Sequence, residues 1–373
     1  MSHLRLHQIQ QSLNAKFYDR EEEIEALLTA LLSRQHILFI GPAGTGKSAL
    51  SAMLGEIVEG SRFFQHLLTS FSTPEELFGV LSLKDLEQGV YKRNIEGMLP
   101  QAHFAFIDEI FKANSAILNA LLTLINERVF TNNGVAIPSP LMTIVGSSNE
   151  YIEGDEGLEA LFDRFLLRYE VDYIREDNLF IAMLKNEQQT EVPRLSLEEL
   201  YEHQELVDTV KIPNDVYTSL SNIRKKLRDE GIRPSDRRFK QSLSLLRAKA
   251  YLDGRFQVNR SDLVLLSNVL WERAEQRDAT TEIVTGVAHD TVDTFIQQIR
   301  PAFESIVLNV QNELIQKTPS SRAKLSELLL QGKSLYLEVQ EKHRQAPNRE
   351  ELLLLKNDMH KRLMKITSDV IGF

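Results

Sequence analysis

Short, unbroken apolar runs alternate along the first half of the chain with segments whose apolar residues recur every three or four positions. Residues 37–40, 104–107 and 141–145 are too short for helices and rich in β-prone side chains, which suits strands buried on both faces of a parallel sheet. Residues 63–69 read as a further strand. Helical stripes lie between them: Ile24, Leu27, Leu28, Leu31 and Leu32 over 21–33, with Asp19 as the expected N-cap; Leu50, Met53, Leu54 and Ile57 after residue 48; and Ile117, Leu118, Leu121, Leu122, Leu124 and Ile125 over 114–127. An α/β fold is expected.

Turn chemistry refines this outline. Thr73 followed by Pro74, Glu75 and Glu76 is a helix start, with Pro at the first helical position. Asn132-Asn133-Gly134 between Val129-Phe130-Thr131 and Val135-Ala136-Ile137 predicts a β-hairpin, and residues 80–86 and 90–93 around Gln88-Gly89 predict another. From about 195 to 275 the pattern is helical, broken at Pro213, at Gly231 to Pro234 and at Asp253-Gly254. Three long helical stretches follow over 280–310, 320–345 and 348–371, punctuated by Pro319 and Pro347. Leu352, Leu355, Met359, Leu363, Ile366 and Val370 stripe the last one.

Composition narrows the setting more than the chemistry. The 373 residues are 42% hydrophobic and 26% charged, ordinary for a folded chain of two or three domains. A net charge of -10 weighs against a surface built to lie on nucleic acid and makes a protein partner the better default. With no cysteine, disulfides and thiolate metal sites are excluded. No apolar stretch approaches the length of a membrane span and the first residues lack a signal-peptide core, so no membrane insertion and a cytoplasmic location are expected.

The chemistry begins where the first strand ends. Gly41-Pro42-Ala43-Gly44-Thr45-Gly46-Lys47-Ser48, followed by Ala49 and a helix, is a complete phosphate-binding loop. Its glycines let backbone N–H groups turn inward, the helix adds the positive end of its dipole, Lys47 reaches the β and γ phosphates, and the Ser48 hydroxyl is placed to ligate Mg²⁺. The second element is 104–109, Phe-Ala-Phe-Ile-Asp-Glu. Asp108 at the end of a buried strand suits a Mg²⁺ held through its water shell, and Glu109 suits a base that orients or deprotonates an attacking water. The strand over 141–145 runs into Gly146-Ser147-Ser148-Asn149, which puts the Asn149 amide at the same sheet edge. Tyr18, beside Phe17, could pack against a nucleotide base or simply join the core.

With these pieces in order the sequence resembles the AAA+ ATPases, specifically the MoxR family and its RavA-like branch, over about residues 8 to 275. The resemblance rests on Gly41 to Ser48 as Walker A, 104–109 as Walker B, Ser147-Ser148-Asn149 as sensor 1, and the 158–165 stretch Leu-Glu-Ala-Leu-Phe-Asp-Arg-Phe. It implies an AAA+ P-loop core over 1–190, an α-helical lid over 191–275 and a helical extension, hairpin or bundle, over 276–373. It further implies ATP and Mg²⁺ as cofactors, with Lys47, Glu109, Asn149 and Arg164 as catalytic groups. Arg164 would be an arginine finger supplied in trans, with Arg168 as second choice, and Arg237 a sensor 2 contact, with Arg238 as the alternative. Supply in trans implies a homo-oligomeric, hexameric ring. The family also implies a von Willebrand factor A (VWA) domain partner and a remodelled protein target. The two hairpins resemble the family's helix-2 and pre-sensor-1 inserts, with Tyr91 and Phe130 as candidate tip residues. No stretch is long and distinct enough to supply the RavA-like branch's inserted small domain. A nucleic-acid-dependent motor built on the same core is the alternative.

Overall fold

The four predicted strands and an unpredicted fifth over Leu167–Glu170 assemble into a single parallel sheet, and the alternation of their residues decides what covers each face. A computed structural model describes residues 2–151, 156–185, 191–289, 291–316, 321–347 and 349–371. In chain order the elements are α1 (Ser2–Lys16), α2 (Glu21–Ser33), β1 (Ile37–Ile40), α3 (Lys47–Ile57), β2 (Val58–Glu59), β3 (Phe63–Leu67), α4 (Pro74–Phe78), α5 (Leu83–Leu86), β4 (Phe104–Asp108) and α6 (Ser115–Glu127). They continue with β5 (Val129–Asn132), β6 (Val135–Pro138), β7 (Thr143–Ser148), α7 (Glu156–Arg164), β8 (Leu167–Glu170), α8 (Asp177–Lys185), β9 (Leu195–Ser196), α9 (Leu197–Thr209), α10 (Asn214–Asp229) and α11 (Asp236–Leu252). Last come α12 (Arg277–Ala288), α13 (Thr291–Gln316), α14 (Ser321–Gln345) and α15 (Glu350–Ile371).

The sheet order is β3-β4-β7-β1-β8, and every pairing in it is parallel. Successive residues of a strand face opposite sides, so Ile37 and Phe39 join one core with α1, α2 and α3, while Leu38 and Ile40 join the other with α4, α6 and α7. The first core continues through Leu200, Val216, Ile223, Leu245 and Leu263, which ties α9 to α12 into the same unit. Contacts divide the chain into two compact units, residues 1–288 and 289–373. In the second, Ile299, Phe303, Val339, Leu355, Met359 and Leu363 form the core between α13, α14 and α15. Among the described residues no helix is long and apolar enough to cross a membrane.

The expected stripes, the hairpin of β5 and β6 and the capping box of Thr73 with Glu76 are present, the Val370 side chain lying outside the described residues. Six local expectations are corrected. An α1 helix precedes the first one expected; its Leu6, Ile9 and Leu13, spaced by three and four, are wholly buried. Arg20, not Asp19, is the N-cap position of α2, because Asp19 turns through φ 56° and its carboxylate instead accepts the Arg175 N–H at 2.9 Å. The predicted hairpin over 80–93 is a helical turn, α5, closed by one bridge between Leu81 and Arg93, with Ser82 capping that turn. Phe130 is not a tip: it is buried and stacked on Phe78 with ring centroids 5.6 Å apart, whereas Tyr91 is exposed. Strand β7 starts two residues later than expected and runs on through Gly146, Ser147 and Ser148, because pairing with β1 as far as Ser148 overrides their weak β preference. The stretch over 280–310 is two helices, α12 and α13, lying in different compact units.

His36, between α2 and β1, shows how tightly the sheet's start is set. Its Nδ1 accepts the Ile144 N–H at 2.9 Å, and burial, with Arg128 nearby, pushes its imidazole pKa well below the usual range. The folded state therefore keeps it neutral while the unfolded chain takes up a proton below about pH 6.5. Its stabilisation is full above that pH and is lost as pH falls. We expect stability on the order of 1 kcal/mol to disappear from this group as the pH falls from roughly 7.5 to 5.5. Urea denaturation at both pH values should show a shallower pH dependence in His36→Gln than in the parent.

Candidate nucleotide-binding site

A parallel sheet has one carboxyl edge, and four strand ends meet there. β1 runs into the glycine loop, β4 into Glu109, β7 into Asn149 and β8 into Val171, Asp172 and Tyr173. The loop lies against β8: a Cβ at Gly41, whose φ is 148°, would stand 2.1 Å from the Val171 carbonyl oxygen. Only glycine fits there. Gly44 and Gly46 take φ of 82° and 87°, and no side chain caps α3, so its first-turn N–H groups are left for an incoming anion.

Lys47 is buried and its Nζ donates to the carbonyls of Gly41 at 2.6 Å and Pro42 at 2.7 Å, spanning the loop that phosphate oxygens would otherwise fill. It also reaches Asn149 Oδ1 at 3.4 Å, and the Asn149 amide donates to Glu109 Oε1. Burial lowers the Lys47 pKa, against the opposing pull of Asp108 and Glu109. One hydrogen-bonded chain thus links the loop lysine, the amide after β7 and the carboxylate after β4. Glu109 sits at φ 51°, in the left-handed region, which costs a side-chain-bearing residue about 1 kcal/mol or more and turns its carboxylate back over the sheet edge. Lys112 pairs with its other oxygen at 3.4 Å. Asp108 accepts from the Ser147 hydroxyl and from the Glu109 N–H at 3.1 Å.

Ser48 is exposed at the first turn of α3, and with Asp108 it offers one hydroxyl and one carboxylate. Among the described residues no group of three or more acidic or histidine side chains could cage a metal. That donor set fits Mg²⁺, which usually takes one or two protein ligands and completes its shell with phosphate oxygens and water.

Tyr18 lines a cavity of about 440 Å³ beside Gly44, Thr45 and Gly46, together with Phe17, Tyr173, Phe180 and Met183. Two of the residues that hold this region escaped the sequence reading. Arg20 is buried and donates to the Thr45 carbonyl at 3.2 Å and to the carbonyls of Asp19 and Asp172, so it staples the loop to the chain on both sides. Tyr173 donates to the Ala43 carbonyl at 3.4 Å. Neither carries a motif; only the adjacency of Arg20 to Tyr18 could have drawn attention to it.

Arg164 and Arg237 are not part of this cluster. Among the described residues, the hydrogen bonds and ion pairs found for both go to Asp163, at the end of α7. The second choices fall away on burial. Arg168 is 1% exposed and donates to the carbonyls of Phe162, Phe165 and Trp271 under the Phe162 ring, so it cannot reach a neighbouring molecule. Arg238, also 1% exposed, donates to the carbonyls of Leu166, Val269 and Asp163 and is a structural anchor.

Residues 4–209 match the family model described as the MoxR domain in the MoxR-vWA-beta-propeller ternary systems, and residues 215–284 match an AAA lid domain. Two uncharacterized proteins of Methanocaldococcus jannaschii are each 38% identical, one over 83% of this chain and 80% of its own length, the other over 73% and 72%. Chaperone MoxR1 of Mycobacterium tuberculosis is 29% identical over 41% of each chain. A candidate ATPase from Cytophaga hutchinsonii shares the fold, with a TM-score of 0.63 at 16% identity over 77% of this chain and 94% of that one. The chain belongs to the MoxR family of AAA+ ATPases.

Proposed function

We propose that the chain hydrolyses ATP within a homo-oligomeric ring, hexameric as the family resemblance implies, and spends the cycle on remodelling a protein target. The observation that carries this reading is the continuous Lys47–Asn149–Glu109 chain over an uncapped helix N-terminus, with Arg164 and Arg237 set apart from it on Asp163. A nucleotide would lie between one subunit's loop and the next subunit's arginines.

The nucleotide's phosphates would take the place of the two carbonyls that Lys47 now contacts, with the loop N–H groups around them. The base would enter the cavity lined by Tyr18 and Tyr173 together with Phe180 and Met183 of α8. Ser48 and Asp108 would hold Mg²⁺, which when bound draws charge from the β and γ phosphates. Glu109, its Oε1 held by the Asn149 amide, would take a proton from the attacking water, and that amide would report the presence of the γ phosphate. Charge spreading over the equatorial oxygens in the transition state is then met by Arg164, with Arg237 beside it, supplied in trans. A VWA-domain partner is supported by the description of the matched family, and a chaperone-like role by the MoxR1 relative. The RavA-like assignment rests on the motifs and the C-terminal helices.

Glu109→Gln should bind ATP as the parent does and lose turnover by about a hundredfold or more, measured by phosphate release beside a fluorescent-nucleotide titration. Unchanged turnover would remove Glu109 as the base. Mixed with Arg164→Ala under verified subunit exchange, it should regain part of the activity through interfaces with both groups intact; no regain would count against action in trans.

Tyr18→Ala and Tyr173→Ala should each raise KM for ATP by about three- to tenfold with kcat nearly unchanged, as expected for contacts equal in ground and transition states. A fall in kcat at constant KM would place these rings elsewhere in the mechanism.

A further inference from the structure

Asp163 divides its two carboxylate oxygens between different tasks. Oδ1 accepts from the buried Arg238 at 3.1 Å, while Oδ2 meets Arg237 and, at 3.3 Å, Arg164. Resting on the reading above, we propose that Asp163 is a positioning residue that holds Arg164 and Arg237 together as one cationic unit aimed at the same nucleotide.

The inner half of this arrangement is rigid. Arg238 is fixed by the carbonyls of Leu166 at 3.3 Å, Val269 at 2.7 Å and Asp163 itself at 2.8 Å. Ser235 caps the helix that carries it, accepting the Arg238 N–H at 3.2 Å. Asp163 therefore has little freedom on that side. Its outer oxygen faces two side chains that are 23% and 42% exposed.

The fold itself gains little from those outer pairs. Ion pairs between partly exposed groups contribute roughly 0–1 kcal/mol, much of it offset by ordering two long side chains. Helix electrostatics sharpen the point. Arg237 and Arg238 stand in the first turn of α11, where the dipole disfavours cations, and Asp163 stands in the last turn of α7, where it disfavours anions. Each charge is placed against its own helix, and they are reconciled only by facing one another.

Without Asp163, the three guanidinium groups would lose the carboxylate they share, and the two that are only partly buried would splay. With it, both are ordered before a phosphate arrives. The arriving phosphate then competes for their outward N–H groups while Arg238 keeps the anchor in place. Burial works against the charge on Asp163, but Arg238 and then Arg237 hold its carboxyl below the usual carboxylate range, so it remains an acceptor throughout.

The test is a mutant cycle on the assembled protein, with steady-state ATPase and thermal unfolding measured on each variant. Asp163→Asn leaves an amide oxygen for Arg238 and removes the outward charge. It should lower kcat about tenfold with KM for ATP changed less than about threefold, and adding Arg237→Ala should cost no more than about twofold further. If the two effects multiply independently, the positioning role is overturned while the arginine roles survive. Should Asp163→Asn fail to fold, Asp163→Glu keeps the charge and moves the outer oxygen by one methylene; it should show the same kcat loss and the same lack of additivity, and full parental kcat would overturn the proposal. If Arg164→Ala and Arg237→Ala alone leave turnover intact, the proposed arginine roles fail and the positioning of those groups fails with them.

Discussion

Everything at the candidate site depends on one constraint: five strands layered between helices must all run the same way. A parallel sheet covered by helices brings every strand's carboxyl end to one edge, and the loops leaving that edge are the only ones that can meet. Gly41, Glu109, Asn149 and Tyr173 are far apart in sequence and become neighbours for that reason alone. The close contact of Gly41 with the Val171 carbonyl fixes the depth at which the phosphate loop sits against the edge strand.

Around that edge the side chains are held by polar contacts that leave few groups unsatisfied. Lys47 occupies two loop carbonyls, Asn149 bridges lysine and glutamate, and Ser147 holds Asp108. Such a network is prepared before a ligand arrives, so binding spends little on ordering it. Arg20 extends the same logic to the backbone by tying the loop to the segments on either side.

The cationic corner at Asp163 is built differently. There the ordering comes from a buried arginine whose partners are main-chain carbonyls, and Arg164 and Arg237 inherit it through a shared carboxylate. Arg168 and Arg238 look in sequence like Arg164 and Arg237, an arginine beside a helix end. Burial separates them: two are structural and two face outward.

Much of this is legible in the order of residues. The phosphate loop, the two carboxylates and Asn149 stand out from their order along the chain, because a short apolar run followed by glycines or acids has few stable alternatives. The helical stripes and the Asn133-Gly134 turn were legible for the same reason: their local preferences agree with the fold. The sequence by itself therefore determined the α/β class and the chemistry of the loop. Tertiary structure alone decided where β7 ends, since its last residues are strand only by pairing with β1, and why Phe130 is core, since nothing local predicts its stacking on Phe78. It alone also sorted the arginines, because burial and carbonyl partners are properties of the packed chain and leave no trace in the order of residues.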